Sequence, residues 1–475
     1  MSPIGVDEWV ARSGERHDRG SGPLESLRRL GDRVGWWQRL AVLALVGFLF
    51  GHIGANGFQQ TVAFNAVIYA ILAVGLNIVV GWAGLLDLGY VAFYGIGAYG
   101  FALLSSSAFG NLMQQTGGVQ LPAYASIPIV LVFAGLVGLA IGLVSLRLGG
   151  DYLAIVTLFF GIAFAEVVNN VDPAHLGGPD GITSLNPIQG LGGAIGSTIG
   201  YYYLALIVLI ALMAGLHLLD ASRTGRAWRA VRDDPLAAQV MTIPVNAVKV
   251  MAFSFGAIVA ALAGAIFAAQ QTNVFPTNFQ SPVLILIYAC LVLGGVGSIA
   301  GAVLGGVLVT VVQQMLASPT DAGYLFYGLI ILALIIRVRP WRLLGAMLAA
   351  IVAFGFAARA IVGAISHSAI AGSTGSVGWI GSALRHYVIV PANPMSYGNV
   401  LYVLLICALV GIVRLKGIWR LIATVPTVYF GACCWEARLS VDPAITAQIM
   451  IGAILIVMMA VRPEGLLGAR RVEII

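Results

Sequence analysis

The chain has 475 residues, of which 60% are hydrophobic and 9% charged, and its net charge is +6. Soluble domains carry about 25% charged residues, so there is too little polar surface here to coat one or two water-soluble globules. Composition therefore excludes a soluble protein and leaves an all-α polytopic membrane protein, in which 60 glycines without a collagen period would serve close helix packing.

In chain order, the first feature is polar. Residues 1–39 hold 13 of the 44 charged side chains, seven of them Arg, with acids interspersed from Asp7 to Asp32. That is too acidic for the leading part of a signal peptide. It reads as a cytoplasmic tail, 1–37, with a surface helix around Leu24–Leu40. Apolar runs follow near 38–54, 62–80, 87–104, 123–146, 152–169, 201–219, 249–269, 282–296, 299–316, 324–338, 343–365, 398–413, 418–435 and 445–461, predicting about 11–14 membrane spans. With the N-terminus inside, 22 of the 25 Lys and Arg fall in the tail or in cytoplasmic loops, and only Arg359, Arg385 and Arg438 do not. The positive-inside rule thus places both termini in the cytoplasm. The basic excess reports orientation in a lipid bilayer and calls for no nucleic acid. Segments 105–122, 170–200 and 366–397, rich in Gly, Ser, Pro and Asn, read as loops on the opposite side.

Several chemistries have no residues to carry them. A phosphate-binding loop needs Lys between Gly and Ser or Thr, and neither Lys249 nor Lys416 has those neighbours, so the chain is expected to bind no ATP of its own. The six histidines lack metal-ligand spacing, and Cys290, Cys407, Cys433 and Cys434 read as buried thiols. No metal or cofactor is expected on this chain.

Four motifs carry more information. In Gly75–Tyr99 a break at Gly81–Gly84 separates two helices, and Asp87 reads as the N-cap of the second, with a place in the solute pathway as the other reading. Asn77, Tyr90 and Tyr94 are polar groups at membrane depth, suited either to a pathway or to bonds between helices. In Gly149–Asn170, Glu166 lies about 22 Å along its helix and is a pathway or gate candidate, or else a carboxylate bonded between helices. The Gly177–Gly181 run that follows is a turn. Thr224–Pro244 is the densest charged stretch after the tail. Asp234 and Pro235 form a helix start and Pro244 a stop, giving about two turns from Pro235 to Thr242. Arg229, Arg232, Asp233 and Asp234 crowd its entrance, while Leu236, Val240 and Ile243 follow helical spacing. Such a helix suits a partner's groove, or forms a solvated loop. Finally Gly297, Gly301 and Gly305 recur every four residues, predicting one smooth face for tight helix crossing.

These motifs, in this order and at these spacings, resemble the LivM-type membrane subunits of bacterial ABC importers for branched-chain amino acids. The likeness runs over about 62–340 and 445–468 and includes Arg462-Pro-Glu-Gly-Leu-Leu-Gly468. It implies an inner-membrane importer. The partners would be a second, LivH-like permease subunit, two cytoplasmic ATPases that use ATP and Mg, and an external solute-binding protein. It also implies that Gly225–Ile243, within loop 220–249, is the coupling element, with Ala237 and Ala238 matching the family's paired alanines. Pro235 stands where an acid is common and Thr242 where Gly is common, with Pro244 close behind. Arg339-Pro-Trp-Arg-Leu-Leu-Gly345 resembles the terminal signature 123 residues early. The expected organisation is therefore a tail, a permease core at 38–340, an inserted membrane segment at 341–443 with outer loop 366–397, and a terminal segment at 444–475. The rival reading, an ion-coupled secondary transporter of small organic solutes with Glu166 or Asp87 as its ion site, calls for a paired acid or an unwound segment near mid-membrane in two matching halves, and the sequence offers neither.

Overall fold

A computed structural model describes residues 35–53, 57–106, 121–146, 150–170, 176–337 apart from 184 and 191–192, 341–365, 378–391, 418–439 and short stretches of the remainder. The tail up to residue 34, Arg147, Cys407, Arg462 and most of the expected spans at 398–413 and 445–461 lie outside the described residues. The chain forms two compact units, Met1–Leu284 and Ile285–Ile475. Among the described residues eight helices are long and apolar enough to cross a membrane, and three apolar helices are shorter. Helices dominate because backbone amides and carbonyls in hydrocarbon must pair within their own segment.

The first unit contains α1 (Trp36–Ile53), α2 (Gly57–Leu76), a π-helical turn (Asn77–Trp82), α3 (Tyr90–Ser105), α4 (Ala123–Ser145), α5 (Gly150–Asn170) and α6 (Thr198–Ala221). It continues with α7 (Arg223–Asp233), α8 (Pro235–Val240) and α9 (Val245–Gln271). Helix α9 is the centre of this unit and packs on α2, α3 and α4. Its close approach is a matter of small residues. A Cβ on Gly264 would lie 2.1 Å from the Tyr94 carbonyl oxygen, and one on Gly97 would lie 2.1 Å from that of Ala261, so α3 and α9 cross backbone to backbone. Large side chains fill the space on either side, with Phe64, Tyr90, Phe93, Phe101 and Phe253 fully buried. A two-residue antiparallel pair, β1 (Gln189–Gly190) with β2 (Gly193–Ala194), punctuates the loop before α6, and Ile182 bridges Val274 at the end of α9.

Helix α10 (Ser281–Gly294) carries the division between the units. The second unit continues through α11 (Ile299–Ala317), α12 (Pro319–Arg337), α13 (Trp341–Ile365), α14 (Gly378–Arg385) and α15 (Ile418–Leu439). The expected glycine face needs one correction. Gly301 and Gly305 do press α11 onto α10: their added Cβ atoms would lie 2.6 Å from the Gly294 and 1.9 Å from the Cys290 carbonyl oxygens. Gly297 belongs to the preceding turn instead, at φ +90°, a left-handed conformation that β-carbons resist. The reason is that α11 starts at Ile299, its N-cap Ser298 accepting the Gly301 amide at 3.1 Å.

The terminal signature has a structural task. The amides of Leu466 and Leu467 donate to the carbonyls of Leu293 and Gly294, both at 2.9 Å, and so satisfy orphan acceptors at the end of α10. The similar Leu343-Leu344-Gly345 lies inside α13, so the two copies adopt different backbones. Within the second unit α13 and α15 share a core of Leu344, Met347 and Ile351 with Val425 and Val428. Buried Glu436 on α15 accepts from the Tyr327 hydroxyl at 2.9 Å, the Ser376 hydroxyl at 2.6 Å and the Ser376 amide at 2.9 Å.

Candidate functional site

The charged stretch after α6 builds two helices at an angle set by Asp234. Ser222 caps α7, and Gly225, Trp228 and Val231 form its buried face. The Trp228 ring is fully buried, and its Nε1 donates to the Val248 carbonyl of α9 at 2.9 Å. Arg229 folds back on Asp220, pairing with the carboxylate at 3.4 Å and donating to the carbonyl at 3.0 Å. Arg232 turns inward and donates to the Gly81 carbonyl in the π-helical turn. Asp233 is exposed. The Asp234 carboxylate accepts the amides of Leu236 at 2.8 Å and Ala237 at 3.0 Å, with Pro235 at the first helical position, as the sequence predicts.

Helix α8 is shorter than the predicted two turns. It ends at Val240, and the chain leaves through a Schellman-type closure, with the Ile243 amide on the Ala238 carbonyl and the Thr242 amide on that of Gln239, both at 3.1 Å. Thr242 sits at φ 63°, in the left-handed region that favours Gly. Among the described residues nothing covers the apolar tip of α8. Leu236 is 75% exposed, Val240 83% and Met241 75%, a large apolar tip for six residues of helix. Of the paired alanines, Ala237 faces out and Ala238 is buried.

The pathway candidates fall into two groups. Asn77, Asp87, Tyr90 and Tyr94 are all buried in the packing of the first unit. Asp87 is not the helix cap expected of it. Helix α3 starts at Tyr90 with Gly89 as N-cap, and the Asp87 carboxylate accepts the Gly89 amide at 2.9 Å, closing the turn before the helix. The same turn is tied to α5, since the Leu88 amide donates to Thr157 Oγ1 at 2.9 Å. Tyr94 packs against Phe267 and Phe279, with ring centroids 5.6 and 5.1 Å away.

Glu166 belongs to the second group. It lines a cavity of about 300 Å³ between α5, the Leu88–Val91 turn, Pro276–Gln280 and the start of α10. Its Oε2 accepts from Asn170 at 2.8 Å, one helical turn away. Glu166, Asn169, Thr277, Gln280 and Ser281 make the cavity polar, while Leu88, Val91, Leu158, Ile162 and Leu284 supply apolar wall. Leu158 lies about 12 Å deeper along α5 than Glu166, so the lining grades from polar at the loop end to apolar toward the helix interior. Sequence reading missed Gln280 and Ser281, whose only signal is a polar pair opening an apolar helix. Among the described residues no group of His, Cys, Asp and Glu could hold a metal ion.

A multi-span helical bundle with a capped helix set between two spans and an amphiphilic cavity defines an integral membrane permease. Residues 60–335 match the family described as branched-chain amino acid transport system / permease component, and the chain belongs to that family. It is 33% identical to the high-affinity branched-chain amino acid transport system permease protein LivM of Escherichia coli K12, over 59% of this chain and 68% of that protein. It is 29% identical to BraD of Pseudomonas aeruginosa, over 58% of this chain and 91% of the relative. The autoinducer 2 import system permease protein LsrC of Yersinia enterocolitica is 28% identical over 58% of this chain and 74% of its own length. No solved structure matches. The chain is thus a multi-pass permease subunit of an importer in the cytoplasmic membrane.

Proposed function

We propose that this subunit imports branched-chain or other hydrophobic amino acids, driven by separate ATPase subunits that dock on α8. The observation that carries the reading is the exposed apolar tip at Leu236, Val240 and Met241, held rigid by the Asp234 cap. An apolar tip of this size is costly in water and fits a groove in a partner. ATP and Mg belong to that partner, since neither lysine of this chain stands in a phosphate loop. A second, LivH-like subunit completes the membrane pair, and an external binding protein delivers the solute. Permease relatives named LivM and LivH support a pair of this kind. Both termini face the cytoplasm, and the chain divides into tail 1–37, core 38–340, insertion 341–443 and terminal segment 444–475.

The cavity serves as this subunit's share of the solute route. Its carboxylate, Glu166, suits the ammonium of an amino acid, and its apolar wall suits a branched side chain. ATP binding at the partners shifts the pair between outward- and inward-facing states only through contacts that differ between them, and α8 supplies such a contact. The test is leucine uptake into proteoliposomes holding the permease pair, fed by its binding protein, with and without the ATPases. Uptake is expected only with ATPases and ATP, and Asp234→Arg is expected to abolish ATPase co-purification while leaving membrane insertion intact. Accumulation driven by an ion gradient alone would sink the reading.

A further inference from the structure

We propose that Arg232 is a positioning residue that couples α8 to the cavity wall, and not part of the surface that meets the ATPase; this rests on the importer reading above. Arg232 lies two residues before Asp234, the residue that fixes α8, and its side chain points away from the exposed face. Its guanidinium donates to the Gly81 carbonyl, one of the acceptors left at the end of the π-helical turn. A cation is favoured at such a helix end. Its aliphatic part lies against Gly84, where an added Cβ would come within 2.9 Å of Arg232 Cγ and where φ is +70°. A larger residue at 84 would push the arginine off the bend.

From Gly81 the chain leads directly to the cavity. The Leu85 amide returns to the Val79 carbonyl at 3.0 Å, Asp87 closes the turn on Gly89, and the Leu88 amide holds Thr157. Leu88 then lines the cavity. The polar route from α8 to the wall runs through the Arg232 side chain and then along eight residues, 81–88, of hydrogen-bonded, non-α-helical backbone. Irregular turns of this sort are where a helix absorbs a change of direction. A displacement of α8 carries Arg232, and Arg232 carries the bend. Trp228 of α7 also meets this turn, its ring 6.0 Å from that of Trp82, but it is anchored to α9 through Val248, which leaves Arg232 as the polar tie between the end of α7 and the bend.

The experiment uses the complete importer in proteoliposomes, as wild type, Arg232→Gln and Arg232→Lys, each with and without Leu88→Cys for thiol labelling. In Arg232→Gln, ATPase co-purification and ATP hydrolysis are expected to persist while leucine taken up per ATP falls about tenfold, within the usual range of coupling between sites. Labelling of Leu88→Cys should respond to nucleotide in the wild type and lose that response in Arg232→Gln. Arg232→Lys, which keeps a cation and a donor, should regain part of both, and it carries the comparison if the glutamine variant fails to insert into the membrane. An unchanged uptake per ATP, a labelling response that survives Arg232→Gln, or no recovery with lysine overturns the proposal. Loss of co-purification with Arg232→Gln also overturns it, by assigning Arg232 to the docking surface. A wild type without ATP-dependent uptake refutes the importer reading itself, before any variant is compared.

Discussion

At residue 242 a threonine occupies the left-handed position that closes α8. A β-branched side chain there crowds the following carbonyl and costs about 1 kcal/mol or more relative to glycine. Thr242→Gly is therefore expected to stabilise the end of α8 by about 1 kcal/mol, read as slower proteolysis of the 235–245 segment in detergent. An unchanged rate would mean that the threonine is not strained. The threonine could be read in the sequence, but its physical meaning needed the dihedral angle. Asp234 shows the reverse case. An acid followed by Pro and then by good helix formers leaves little choice but a cap, because Pro fits the first helical position without an N–H and the carboxylate accepts the open amides of Leu236 and Ala237. Asp87, an acid before a helix but followed by Leu and Gly in place of Pro, went elsewhere: with Leu88 held by Thr157, the helix begins only at Tyr90.

Elements follow composition where packing is between backbones. On α11, Gly305 meets the Cys290 carbonyl, so Gly305→Ala should force α10 and α11 apart and destabilise the protein by about 1–3 kcal/mol. Gly328, on α12, has nothing among the described residues within 4 Å of an added Cβ, and Gly328→Ala should be neutral or stabilising by up to about 1 kcal/mol. Thermal unfolding of the two purified variants checks the contrast; equal shifts would remove the crossing assignment. Apolar run length located nearly every described helix within a few residues, since the hydrocarbon leaves a chain few other ways to pair its backbone. The candidate site was less legible. The Asp234–Pro235 start and Pro244 stop brought out the 235–242 helix, and depth along the span the carboxylate at 166, yet neither could say that Asn77, Tyr90 and Tyr94 turn into the packing, or that Arg229 and Arg232 fold back onto the chain. Those directions are set by neighbours far away in sequence.

At the scale of the whole molecule, the family match ends at residue 335 while the described helices continue to Leu439. The second unit joins the two regions through Glu436, which holds Tyr327 from α12 and Ser376 from the loop beyond α13. Both carboxylate oxygens accept, and an amide in place of the carboxylate would turn one acceptor into a donor facing another donor. Glu436→Gln should cost about 1–3 kcal/mol and expose the 366–397 loop to protease. If the loop stays as resistant as in the wild type, the carboxylate is not what holds it.

The pairing of Leu466 and Leu467 with the end of α10 also fixes an order in time. Leu293 and Leu466 are 173 residues apart, so at typical synthesis rates the acceptors on α10 wait roughly 10–30 s for their donors. Until then the carbonyls of Leu293 and Gly294 lack these two donors. Ribosome pausing within this stretch would lengthen the vulnerable period and favour quality-control proteolysis.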